Sequence, residues 1–119
     1  MTTDNSTGKD KMAVIWTSGD PDVARNMVFM YTKNSKLKGW WNEVRLVVWG
    51  PSAKLLATDE DIQAELEKVK QAGVELQACK ACTDNYGVSD KLAEMGIDVI
   101  YMGAPLTGYL KGDWTVLTV

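Results

Sequence analysis

Two cysteines three positions apart, in Cys79-Lys80-Ala81-Cys82, are the residues of this sequence best suited to covalent chemistry. The thiolate is the reactive form of cysteine, and unpaired backbone N–H groups, the positive end of a helix dipole and a nearby cation all favour it. Val74 to Ala78 reads as a strand, so Cys79 is expected where that strand meets the start of a helix, with Lys80 supplying the cation. Cys79 is therefore expected to be the first-attacking thiol, facing a pocket and the backbone donors that follow it. Cys82 lies one helical turn further on, where it is expected to pack inward as the auxiliary thiol.

Three other readings of the pair stand beside this one. Both thiols can be inert, partly buried small residues. They can form a dithiol redox pair, since Cys-X-X-Cys spacing lowers the pKa of its first cysteine, although the motif follows the third strand and lacks the preceding aromatic of thioredoxin-like proteins. They can also be half of a metal or cluster site shared between subunits. The absence of histidine narrows the chemistry further: no Ser/His/Asp or Cys/His relay can form within the chain. Two cysteines cannot complete a four-ligand zinc site, so neither a metal nor a cofactor is expected. Asp59-Glu60-Asp61 reads as the acidic first turn of a helix rather than as an acid/base cluster.

The scaffold for these thiols is expected to be one small domain. The 119 residues are 45% hydrophobic and 24% charged, an ordinary globular composition with enough apolar side chains for one core. A net charge of -3 with scattered Lys and Arg offers no basic field for nucleic acid. No apolar run approaches the roughly 20 residues that span a bilayer. Residues 1–11 are polar, without a signal-peptide apolar region, and read as a disordered leader before a single domain over 12–119. A cytoplasmic protein with reduced thiols is expected.

Short apolar runs alternate with helical segments along that domain. Met12 to Thr17, Val44 to Trp49, Val74 to Ala78, Asp98 to Met102 and Trp114 to Val119 read as strands, the first buried on both faces. Asp20 and Pro21 open a helix to about Lys36 whose buried face is expected to carry Val23, Met27, Met30 and Tyr31. Ser52 to Leu56 suits a short helix; a second long one starts at Asp59, buries Ile62, Leu66 and Val69, and stops at Gly73. The pattern predicts a three-layer α/β/α sandwich with a five-stranded, mostly parallel sheet. Ligands of such sheets collect at the carboxyl ends of the strands. A pocket is therefore expected around Gly19 and Asp20, Trp49-Gly50-Pro51-Ser52, Cys79 and Lys80. Ser18-Gly19-Asp20-Pro21 reads better as a helix-capping turn than as an anion cradle. Trp16 and Trp49 read as core, while Trp40, Trp41 and Trp114 suit a subunit interface as well as loop packing.

Three segments together resemble the DsrE/DsrF-like family of small sulfur-relay proteins: Val44 to Leu56, Gly73 to Cys82, and Tyr86-Gly87-Val88. The resemblance runs from Met12 to Val119 and implies a parallel five-stranded sheet with helices on both faces, assembled as a dimer, trimer or hexamer. It further implies that Cys79 accepts sulfur as a persulfide and passes it between donor and acceptor proteins. Cys82 stands where the sulfur-transferring branch has a small residue without a thiol, and could resolve a Cys79 persulfide or relay it. A non-catalytic module using the strand-end pocket is the alternative, along with the dithiol redox protein.

Overall fold

The computed structural model describes residues 10–119, so residues 1–9 of the expected leader lie outside the described residues, while at its end the Asp10 carbonyl accepts the Asn42 N–H at 2.9 Å and Lys11 already belongs to the first strand. Five strands are found among them: β1 (Lys11–Trp16), β2 (Glu43–Val48), β3 (Glu75–Cys79), β4 (Asp98–Ile100) and β5 (Trp114–Thr118). They form one sheet in the order β4-β3-β2-β1-β5, and every neighbouring pair is parallel. β1 is an interior strand, between β2 and β5, and reads as an unbroken apolar run because both of its faces are covered. Met12, Val14 and Trp16 enter the larger core cluster, and Ala13 and Ile15 the smaller one on the opposite face.

Local signals set most helices. Pro51 opens α3 (Pro51–Thr58), and Asp59 caps α4 (Glu60–Gln71) by accepting from the Asp61 and Ile62 N–H groups at 3.0 and 3.1 Å. Ile62, Leu66 and Val69 of α4 are buried against the larger cluster, each contributing about 1.5–3 kcal/mol by removal from water. The smaller cluster contains Met102 and Tyr109, at the start of and within the helix Gly103–Lys111. Arg45 fixes Tyr109 there: its Nη1 donates to the Tyr109 hydroxyl at 2.9 Å, which donates in turn to Gln77 Oε1 at 2.6 Å.

The first helical segment departs from expectation. It runs as α1 (Pro21–Val23), a π-helical stretch (Ala24–Phe29) and α2 (Met30–Leu37). The wider π turn rotates the buried face onto Ala24, Val28, Phe29, Thr32 and Ser35, leaving Met27 39% and Met30 50% exposed. Phe29 thereby meets Trp16 edge to face, with ring centroids 5.0 Å apart. Thr32 is tolerated in this position because its hydroxyl donates back to the Val28 carbonyl at 2.8 Å. Among the tryptophans, Trp16 is core as expected; Trp49 is only half-buried, against the smaller cluster.

The carboxyl ends of the central strands are tied together. Buried Ser52 donates its hydroxyl to the Trp16 carbonyl at 2.5 Å and accepts the Trp49 N–H at 3.2 Å, while its own N–H donates to the Thr17 carbonyl at 3.1 Å. Ser52→Ala is expected to lower the unfolding free energy by about 1–2 kcal/mol through loss of these buried hydrogen bonds. Urea titration followed by tryptophan fluorescence checks it, and an unchanged midpoint would contradict the role given to the hydroxyl.

Candidate functional site

Cys79 is the last residue of β3, paired with Ile100 of β4 and one step beyond the Val48–Ala78 pair. Side chains alternate along a strand, so Ala78 enters the larger cluster and Cys79 the smaller, with Ala13, Ile15, Val47, Met102 and Tyr109. The chain turns helical at Lys80, beginning α5 (Lys80–Tyr86), and this turn lifts Cys82 to the edge of the same cluster. The two Sγ atoms lie 3.0 Å apart with the Cys82 thiol donating to Cys79, and both cysteines are free thiols.

This geometry reverses the expected exposure of the pair. Cys79 is only 5% exposed, whereas Cys82 is half-buried. Backbone groups also act on the other sulfur: those of Gly50 and Cys82 favour the Cys82 thiolate, and Cys79 makes no capping hydrogen bond with α5. Burial pushes the Cys82 thiol above the ordinary thiol range, and its hydrogen bond to Cys79 adds to the rise. The two backbone groups oppose it.

The other expected site residues gather at the same end of the sheet, in roles that are largely structural. Gly50 takes φ 76°, a left-handed conformation suited to glycine, and leads directly into α3. Gly19 packs against Pro51, whose Cβ would lie 3.4 Å from a Cβ built at Gly19. Asp20 accepts the Asp22 N–H at 2.8 Å as a helix cap, the role favoured for it from sequence. Ser52 is fully engaged in tying β1 to β2, and Trp49 flanks the cysteines' cluster.

Lys80 is not a counter-charge reserved for Cys79. Its Nζ lies 2.9 Å from Asp84 Oδ2 and 5.5 Å from the Tyr101 ring centroid, and the hydrogen bond to Asp84 raises its pKa. Asp84 also accepts from the Ser89 hydroxyl, which is itself hydrogen-bonded with Thr83 Oγ1 at 2.7 Å; the Ser89 and Lys80 hydrogen bonds hold the Asp84 carboxyl below its usual range. Lys80, Asp84, Gly87, Ser89 and Asp90 line a shallow cavity of about 430 Å³. Sequence reading passed over this cluster, although the i, i+4 spacing of Lys80 and Asp84 was a legible sign of their pairing. Among the described residues, no three His, Cys, Asp or Glu side chains are grouped as a metal site.

A model of the DsrE/DsrF-like family matches residues 10–119. The chain belongs to the DsrE/DsrF-like family. Among solved structures it is similar to BT1422 of Bacteroides thetaiotaomicron, a conserved protein of unknown function, at 41% identity and a TM-score of 0.89, over 92% of this chain and 95% of that one. The ychN protein of E. coli, 22% identical over 92% of this chain and 99% of that one, has a TM-score of 0.65. MTH1491 of Methanobacterium thermoautotrophicum, of unknown function, gives the same TM-score of 0.65 at 19% identity, with 92% and 98% coverage. The last two likenesses concern the fold alone. No curated protein matches the chain.

For this member of the DsrE/DsrF-like family, the environment of Cys82 gives a testable pH dependence. Because its folded pKa is raised, the Cys82 thiolate forms at higher pH than that of an unstructured cysteine, and its alkylation profile is displaced upward. Cys79→Ala removes the hydrogen-bond acceptor and the neighbouring charge but leaves the burial, so the Cys82 profile should move part of the way back down. Mass spectrometry of site-resolved alkylation across a pH series checks this. A profile unmoved by Cys79→Ala would contradict the coupling.

Proposed function

We propose that this DsrE/DsrF-like protein is a sulfur carrier that accepts sulfur as a persulfide on Cys79 and passes it to a partner protein. Family membership supports a sulfur-relay function in general terms. The observation that carries the finer reading is the pair itself: a cysteine in an apolar cluster receives an S–H hydrogen bond, at 3.0 Å, from a second cysteine nearer the surface. Burial and this hydrogen bond favour the protonated form of Cys82, the donor to Cys79 in the unloaded protein.

In the loading step, the Cys79 thiolate attacks the outer sulfur of a donor persulfide. The new S–S bond forms at Cys79 and the donor leaves as a thiolate, so one sulfur atom is transferred without net oxidation. The apolar surroundings of Cys79 shield the persulfide from bulk water and oxidants. Delivery reverses the chemistry towards an acceptor thiol. Donor and acceptor are proteins that dock at the strand-end face, where Cys82 reaches the surface.

The proposal includes a reducing, cytoplasmic setting, which free thiols require; no described helix is long and apolar enough to cross a membrane. It also includes assembly as a homo-oligomer. Met30, Leu37 and Trp40 support this, being 50%, 63% and 54% exposed on and just after α2, beside an apolar groove of about 250 Å³.

Loading is tested in Cys82→Ser, where one thiol remains. Incubated with a low-molecular-weight persulfide, this variant is expected to become one sulfur atom heavier, with the gain mapped to Cys79 and reversed by dithiothreitol. The double variant Cys79→Ser/Cys82→Ser should gain nothing. No gain in Cys82→Ser, or an equal gain in the double variant, would remove the carrier reading.

A further inference from the structure

Resting on the carrier reading, we infer that Cys82 discharges the Cys79 persulfide when no acceptor is docked, releasing sulfide and leaving a Cys79–Cys82 disulfide. The protein would then have a second activity, that of a persulfide-reducing half-reaction built into its own site.

The geometry selects the sulfur that is attacked. In a Cys79 persulfide the inner sulfur is Cys79 Sγ, and Cys82 Sγ already stands 3.0 Å from that atom. Closing this separation to disulfide length takes an approach of only about 1 Å. The outer sulfur, bonded beyond Cys79 Sγ, is the leaving group. As the Cys82–Cys79 bond forms, the bond to the outer sulfur breaks, and that sulfur departs with the bonding pair as hydrosulfide. The Cys82 proton completes hydrogen sulfide, so a persulfide and a thiol become a disulfide and hydrogen sulfide. The transferred sulfur is reduced by two electrons and the cysteine pair is oxidised by two. No outside oxidant is required, and a dithiol reductant returns the pair to its starting state.

The surroundings of Cys82 act on the attacking group in both directions. In the unloaded protein, burial first and the hydrogen bond to Cys79 second oppose ionisation of Cys82. The Gly50 and Cys82 backbone groups favour its thiolate. A persulfide formed at Cys79 leaves its inner sulfur, the atom to be attacked, in contact with Cys82. Holding nucleophile and target sulfur in contact makes the step intramolecular, so it competes well with transfer to a free thiol.

The test incubates the reduced full-length chain anaerobically with a small-molecule persulfide and follows intact mass and sulfide. Wild type is expected to end two hydrogen atoms lighter, with about one sulfide released per chain above the double-serine control. Cys82→Ser and Cys82→Ala should instead hold the added sulfur at least about tenfold longer. Wild type keeping the extra sulfur as long as these variants would overturn the inference while leaving the carrier reading intact. Sulfur gained by Cys79→Ser but not by Cys82→Ser would overturn it by reversing the roles. Uptake by neither single variant would remove the carrier reading and this inference together.

Discussion

Buried Ser52 holds together the part of the molecule on which everything else depends. Its hydroxyl bridges the Trp16 carbonyl and the Trp49 N–H, and its own N–H reaches Thr17, so the ends of β1 and β2 finish level with each other. β3 continues the same parallel register through Val48–Ala78. Gly50 then lies close enough to Cys82 for its backbone to favour that thiolate. A slip of one residue anywhere in this register would move every side chain of the slipped strand to the opposite face and take Cys79 out of its cluster. The parallel sheet is thus the positioning device for the thiols.

Within that frame the two cysteines receive different environments from a single change of backbone. Cys79 still obeys the alternation of a strand and enters the apolar layer; three residues later Cys82 follows a helical turn to its rim. Contact between the sulfurs follows from this strand-to-helix junction. The half-buried thiol carries the raised pKa, and the buried thiol receives its hydrogen bond. Lys80, adjacent in sequence, is held by Asp84 and Tyr101 instead.

Much of the fold was legible in the sequence because its signals are local. The Asp20-Pro21 and Asp59 caps, the Gly50-Pro51 stop and the doubly buried β1 act over a few residues and correspond to real boundaries. On the helix after β1 half of the buried face was legible: Val23 and Tyr31 pack against the core, whereas the π-helical stretch leaves Met27 and Met30 exposed and brings in Val28, Phe29 and Thr32. The position of the cysteine pair at a strand-to-helix junction was legible from its spacing after the third apolar run. The pair's burial was not, because the sequence ends β3 at Ala78, and pairing with Ile100 of β4 extends it to Cys79. That one residue decides which sulfur is buried, and it is set by a strand some 20 positions away in the chain, a tertiary effect that local propensity does not carry.

The central claim is that sulfur enters on the buried thiol. Rapid-quench mass spectrometry of the wild-type chain mixed with an isotopically labelled small-molecule persulfide tests it most directly, by mapping the first site to carry the label. The account predicts labelled sulfur on Cys79 at the earliest times, before any disulfide accumulates. Label appearing first on Cys82, or on neither cysteine, would contradict it.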